Sequence, residues 1–314
     1  MIFTLTLNPA VDRELTVPKL EFDSVLRAGE SRVDFGGKGF NVSRLLTAMQ
    51  TSSTAMGFLG GQAGELLQAG LQSLGISTDF VRVPGETRTN VSIVTQSHDH
   101  YIKANEKGPP VDAVKQKELL DKIGALAQPG DWWVLAGSLP PGIADDFYAR
   151  IVKVLNQHGS QAILDATGDA LRLGCAERPY LVKPNAEEAR ALTGLPMDTP
   201  AEIAAAAAQI HTLGVQNVVV SMGRAGALLK TPQGAWLAHS PPIKEKNPIG
   251  AGDSMVGGLV WALTQGIDLK ESLGWGVASG AATASLNGTE VGSRPLIEKL
   301  FSQVRYEFLE TASP

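Results

Sequence analysis

Between residues 131 and 221 the chain alternates strand-forming and helix-forming stretches with a regularity that few architectures accommodate. A buried strand at Asp131 to Ser138, carrying Trp132 and Trp133, leads to a helix at 143–158, a strand at Ala162 to Asp165, a second helix, a strand at Tyr180 to Lys183, a third helix and a strand at Val215 to Ser221. Such alternation demands a parallel sheet with right-handed crossovers, each strand returning to the sheet through a helix packed on its face. Thr199-Pro200-Ala201-Glu202 opens one of these helices as a capping box with proline at the first helical position. The fold class is therefore α/β, with a doubly wound, mainly parallel sheet flanked by helices. Ligands of such sheets bind at the carboxyl ends of the strands.

Two glycine-rich turns open helices outside that region. Gly36-Gly37-Lys38-Gly39-Phe40-Asn41-Val42-Ser43 precedes an apolar face of Val42, Leu45, Leu46 and Met49, and Asn247 to Ser254 precedes Met255, Val256, Leu259, Val260 and Leu263. The first amides of a helix lack intrahelical partners, so Gly250, Ala251 and Gly252 can present donors to an anion with no side chain in the way. Asp253 would repel a resting phosphate; its best use beside an anion hole is to take a proton from an attacking hydroxyl. A first-turn aspartate that only complements the helix dipole fits the same residues.

Together the turns resemble the two signatures of the ribokinase-like (PfkB) sugar kinase family, G-G-x-G-x-N near the start and D-T-x-G-A-G-D near the end. The resemblance runs in the family's order through Leu7 to Asp12, Gly137-Ser138-Leu139-Pro140, Lys183 to Glu188 and Val220 to Gly223, and covers nearly the whole chain. Asn247-Pro248 departs from the usual Asp-Thr, as it does among phosphohexose kinases. The resemblance implies ATP as phosphoryl donor, magnesium, and a small β-sheet lid over the sugar through which relatives often pair, here as a homodimer. It is strongest to the subgroup of 1-phosphofructokinase and tagatose-6-phosphate kinase, through Arg88-Thr89-Asn90-Val91, Gly108-Pro109, Gly252-Asp253-Ser254 and Ala278-Ser279-Gly280. The implied reaction is fructose 1-phosphate plus ATP to fructose 1,6-bisphosphate plus ADP. Tagatose-6-phosphate kinase and the minor 6-phosphofructokinase share these features, and a sugar-phosphate-binding regulator without turnover stays open.

A phosphorylated hexose needs cations, and this chain carries a net charge of −5 and a pI near 5.6, so they must be placed locally. The acidic balance leaves no footprint for nucleic acid, and no apolar run reaches the length of a membrane span. Cys175 is alone, which excludes an intrachain disulfide and fits a reducing compartment, with the cytoplasm as the default. Met-Ile-Phe-Thr-Leu-Thr-Leu opens the chain as a first strand and not as a signal peptide. At 314 residues we expect a single α/β kinase domain, 1–314, with the lid inserted from segments about 13–35 and 87–104. Alternating runs such as Glu14-Leu15-Thr16-Val17 and Thr89 to Thr95, the latter closed by Ser97-His98-Asp99-His100, predict short strands of a small accessory sheet, which the resemblance implies is the lid.

The remaining candidates follow the strand ends. Asp12, after the strand Ile2 to Leu7 and Asn8-Pro9, is placed in or just after a loop, where a carboxylate can accept from sugar hydroxyls. In the family the matching aspartate binds sugar, and the resemblance carries Gly37 and Asn41 to the same substrate; Lys38, inside the first signature where other members often have Gly or Ala, is a candidate cation for the substrate's phosphate with Arg88 and Arg27. Arg88 matches an arginine that holds the substrate phosphate in phosphofructokinase-type relatives, with Arg27 at a second such position. Ser138 reaches the carboxyl edge of the sheet, as contact or as a plain turn serine. Asn185 and Glu188, three apart in a first turn, suit a capping pair or the family's N-x-x-E motif, which organises magnesium through water. Lys183, Asn185, Ser221, Gly223 and Gly226 would line the nucleotide side. Small residues from Gly276 to Thr283 suit either a flat base or close helix packing.

Overall fold

A computed structural model describes residues 1–97 and 100–309. The polar turn expected at His98-Asp99 and the last five residues of the expected domain, 310–314, lie outside the described residues. The strands are β1 (Ile2–Thr6), β2 (Ala10–Val17), β3 (Glu30–Gly36), β4 (Thr54–Leu59), β5 (Ser77–Arg82), β6 (Arg88–Thr95), β7 (Tyr101–Asn105), β8 (Trp132–Ala136), β9 (Gln161–Asp165), β10 (Leu181–Val182), β11 (Asn217–Ser221), β12 (Gly226–Thr231), β13 (Gly234–His239) and β14 (Arg305–Leu309). The helices are α1 (Lys38–Ala48), α2 (Gly61–Ser73), α3 (Ala113–Leu126), α4 (Phe147–Gln157), α5 (Gly168–Ala176), α6 (Ala186–Thr193), α7 (Pro200–His211), α8 (Ala251–Thr264), α9 (Leu269–Ala284) and α10 (Arg294–Phe301).

The expected parallel sheet is present, in the order β14-β13-β12-β11-β10-β9-β8-β1-β4-β5, and it is parallel from β5 to β11. The chain leaves β1 toward β4 and β5, then returns to β8 and builds outward the other way, so the strand order reverses between β1 and β8. That reversal opens the crevice at the carboxyl edge. Continuous apolar strands follow from burial on both faces. Trp133 and Leu135 face the core under α3, α4 and α7, while Val134 and Ala136 face that under α1, α8 and α9. Trp133 stacks on Phe3 with ring centroids 4.1 Å apart, a contact worth about 0.5–1.5 kcal/mol beyond its buried area.

Several boundaries differ from those expected. α4 begins at Phe147 and not at 143 because Pro140 to Asp146 form turns before it. β12, β13 and β14 extend the sheet antiparallel beyond β11. The small sheet, of order β3-β2-β6-β7, begins at Ala10, so Asp12 is not in a loop but inside β2, opposite Asp34 of β3 and Asn90 of β6. The reason is that Asn8-Pro9 bends the chain from the large sheet directly into the small one, with no intervening loop. Val11 anchors the small sheet in a third cluster with Phe40, Leu59, Leu67 and Leu71.

Candidate active site

Gly250 caps α8 in the left-handed region, at φ 77° and ψ −4°. A side chain there would be strained, and a Cβ would have nothing within 4 Å, so the turn is both glycine-dependent and open. No side chain caps this helix. Of the three amides expected to face an anion, that of Ala251 is engaged, donating to Pro248 O at 3.1 Å. Among the described residues, the amides of Gly250, Gly252 and Asp253 make no hydrogen bond, so Asp253 N takes the place of Ala251 N among the open donors. Asn247, at the departure from Asp-Thr, holds the preceding turn from both ends of its amide. Its Oδ1 accepts from Ile249 N at 3.0 Å and its Nδ2 donates to Gly288 O at 2.8 Å, which a carboxylate could not do.

The first turn of α8 carries Asp253, and α1 brings Asn41 to it. Gly39 makes this approach possible: a Cβ there would lie 2.9 Å from Leu5 O and 2.8 Å from Thr6 Oγ1, the hydroxyl that Gly39 N donates to. Asn41 Nδ2 donates to Asp253 Oδ2 at 2.8 Å. Asp253 is 8% exposed. Burial and then the nearby Asp165 carboxylate push its pKa up to about 6, against the Asn41 hydrogen bond and the Lys38 and Lys183 ammonium groups. A carboxylate so tuned is ionised at neutral pH and still basic enough to accept a proton from a hydroxyl in a transition state.

Asp165 was not singled out in the sequence. It closes β9 and is 2% exposed, and its Oδ1 lies 3.4 Å from both Lys38 Nζ and Lys183 Nζ. The one available signal was its place at the carboxyl end of a central strand. Lys38, at the start of α1, keeps its proton more tightly than usual: burial opposes its charge, but Asp165, Asp253 and Glu188 together outweigh it. Lys183 follows β10, and its Nζ is the nearest group to a Cβ built on Gly252, at 3.8 Å.

On the other side of the site, Asp12 Oδ1 accepts from Asn90 Nδ2 at 2.8 Å. Asn90 was part of a motif but not a named candidate; its Oδ1 is buried with no partner among the described residues. Arg88 donates to the carbonyls of Asn8 at 2.8 Å, Glu106 at 3.2 Å and Pro9 at 3.4 Å, stapling the exit of β1 to the end of β7. Arg27 is exposed in the segment between β2 and β3, outside this cluster, and Ser138 is exposed just past β8. Gly37 is the N-cap of α1.

A cleft of about 690 Å³ adjoins Ala251 and Gly252. Asn185, Ser221 and Gly223 line it from the ends of β10 and β11, Gly226 from the start of β12, and Val277, Gly280, Ala281 and Ala284 from α9. Most of the small-residue stretch packs α9 on α8, and Val277, Gly280, Ala281 and Ala284 border the cleft. Asn185 and Glu188 form the reciprocal capping pair: Asn185 Oδ1 accepts from Glu188 N at 2.8 Å and Glu188 Oε2 from Asn185 N at 2.9 Å. Both side chains remain at least partly exposed.

A carboxylate beside open amides, a cluster of two lysines and a cleft at the same helix mouth can move a phosphoryl group onto a hydroxyl. The family model for pfkB family carbohydrate kinases matches residues 5–295. The chain belongs to the pfkB family of carbohydrate kinases. This pfkB-family chain is 34% identical over 305 residues to 1-phosphofructokinase of Bacillus subtilis, covering 97% of this chain and 99% of that one. It is 32% identical over 307 residues to tagatose-6-phosphate kinase of Staphylococcus epidermidis, covering 97% and 98%. Phosphofructokinase-2 from Escherichia coli, solved in complex with potassium, superposes with a TM-score of 0.91 at 30% identity over 96% of this chain and 98% of that one, and ribokinase of Arabidopsis thaliana superposes with a TM-score of 0.77 at 21% identity over 96% and 98%, so the fold is ribokinase-like. The protein is a kinase that transfers phosphate to a sugar hydroxyl. No helix among the described residues is long and apolar enough to cross a membrane.

Proposed function

We propose that the protein is an ATP-dependent phosphohexose kinase that converts fructose 1-phosphate to fructose 1,6-bisphosphate. The observation that carries the mechanism is Asp253, a buried base with a pKa near 6 at the mouth of a helix whose amides are open. Asp253 takes the proton of the sugar's primary hydroxyl, and the amides of Gly250, Gly252 and Asp253 receive the charge on the phosphoryl group in transit. Ala251 contributes by its place in that turn, its own amide closing the bend onto Pro248.

Asp12 and Asn41 orient the sugar, and the unpartnered Asn90 Oδ1 is an acceptor suited to one of its hydroxyls. Arg88 is half-buried beside Asp12 and carries the substrate's phosphate, helped, as the small sheet moves, by Arg27. The same sheet acts as a lid that excludes water. Its outer strand β7 is exposed along its whole length, with Tyr101 and Ile102 on it, an edge suited to pairing with a second copy. The nucleotide lies in the cleft between Ser221, Gly223, Gly226 and α9, with its phosphates toward Lys183. Asn185 and Glu188 offer hard oxygen ligands that are open to water, which fits magnesium held through its hydration shell. Bound there, the ion would neutralise charge on the phosphate oxygens. We place the enzyme in the cytoplasm, in keeping with a single buried free cysteine.

Comparing kcat/KM for fructose 1-phosphate, fructose 6-phosphate and tagatose 6-phosphate tests the substrate; preference for either 6-phosphate overturns it. Arg88→Ala should raise KM for the sugar phosphate about 10–100-fold, as loss of a charge-assisted contact does, while KM for ATP changes little. An equal rise for both would contradict the assignment. Since the base acts when ionised, kcat/KM should be level above about pH 6 and fall about tenfold per unit below it. An acid limb centred near 4 would remove the tuning from the account.

A further inference from the structure

Two of the site's cations belong to opposite sides of the reaction, yet one oxygen holds both. Lys38 begins α1, on the sugar side, and Lys183 follows β10, on the nucleotide side. Each Nζ lies 3.4 Å from the same Asp165 Oδ1. Asp165 and Lys183 are almost wholly buried, so neither charge is relaxed by water and each depends on the other for its solvation. The backbone fixes this arrangement as well: Lys183 N donates to Leu164 O at 3.1 Å and Gly137 N to Asp165 O at 3.1 Å, so Asp165 cannot drift relative to the strands on either side. A side chain pinned in this way makes no use of its charge toward solvent. Its geometry is that of a clamp.

We propose that Asp165 is a positioning residue that pins Lys38 and Lys183 on either side of the transfer point, so that both ammonium groups meet the phosphoryl group in transit while the general base stays free of them. The clamp rests on the kinase reading above for its purpose, but not for its existence. Without Asp165 the two lysines would be free to pair directly with Asp253, the other buried carboxylate in reach, and the base would be neutralised by the groups meant for the phosphate. The groups that face Asp253 are Asn41 and Lys38 from α1, Asp165 from β9 and Lys183 after β10; the buried residues of α9, which packs along α8, are uncharged. Asp165 raises the Asp253 pKa and the lysines lower it. Removing Asp165 therefore acts in one direction twice, by deleting a repelling charge and by releasing two attracting ones.

The test is Asp165→Asn, which keeps the size of the side chain and removes its charge. The Asp253 carboxyl is followed by 13C NMR in protein labelled at aspartate, without substrate, and kcat and its pH profile are measured with the preferred hexose phosphate and ATP at saturating magnesium. The clamp predicts an Asp253 titration moved well below 6, an acid limb of the rate moved with it, and kcat lowered about 10²-fold, the loss expected from reactive groups displaced by about 1 Å. An unmoved titration in a folded variant would overturn it. So would a higher magnesium requirement with the acid limb unchanged, which would make Asp165 a metal ligand. Should Asp165→Asn fail to fold because it leaves the Lys183 ammonium buried without a partner, Asp165→Asn in a Lys183→Met background is compared with Lys183→Met alone. The titration must again move down, and its failure to do so overturns the clamp. If the parent phosphorylates none of the three hexose phosphates but the titration still moves, the kinase reading fails and the clamp stands.

Discussion

Asp253→Ala is expected to lower kcat by about 10²–10⁴-fold, the contribution of a positioned general base, with little change in KM for either substrate. The substitution removes the one group placed to accept the hydroxyl proton, while Lys38, Lys183 and the open amides remain to bind phosphates. Steady-state ADP release measures this directly. Equal release by parent and variant would mean that the proton leaves by another route. The same residue makes a stability prediction of opposite sign. Its folded pKa is raised from 3.8 to about 6, so ionised Asp253 opposes folding. The protonated form is the better accommodated one, and its advantage is full below about pH 4 and lost as pH rises through about 6. Asp253→Asn, always neutral, should therefore be more stable than the parent at pH 8, by about 3 kcal/mol, and converge with it near pH 4. A variant that is more stable and nearly inactive is the expected signature of a site whose charge is held against the fold.

Gly252→Val is expected to fold normally and to lose activity by about 10²–10³-fold, the effect of losing one oxyanion donor. A Cβ on Gly252 meets only Lys183 Nζ, at 3.8 Å, which is ordinary contact, and the position lies within a helix that tolerates other residues. The branches of valine would nonetheless stand over an open amide that borders the cleft. Melting temperature and kcat, measured together, separate the two effects. Retained activity would show that no charge develops at this turn. Gly250→Val is the contrasting case, since its left-handed backbone should cost about 1–3 kcal/mol of stability.

The two glycine turns and the central α/β alternation were legible because each is a local pattern: a periodic apolar face, a residue that frees the backbone, a strand of continuous hydrophobicity. From these follow the parallel sheet, the helix mouth at Gly250 and the proposed base at Asp253. What could not be read depends on convergence. Asp165 and Lys183 are 18 positions apart and Lys38 far from both, and nothing local states that their side chains meet. Asp12 was misplaced because an Asn-Pro break reads the same whether a loop or a second sheet follows. The hairpin of β12 and β13 was hidden because both strands are apolar on both faces, so neither shows the alternation of an edge strand. Ala251 looked like one donor among three, and only the turn's closure onto Pro248 removes it.

The central claim is that this site passes a phosphoryl group from ATP to a sugar hydroxyl. Its most direct test is 31P NMR of the purified protein with ATP, magnesium and fructose 1-phosphate. The account predicts ADP together with a sugar product bearing two phosphate monoester resonances, formed in equal amounts. Free inorganic phosphate in place of the second ester, or ATP left intact beside bound sugar phosphate, would contradict it.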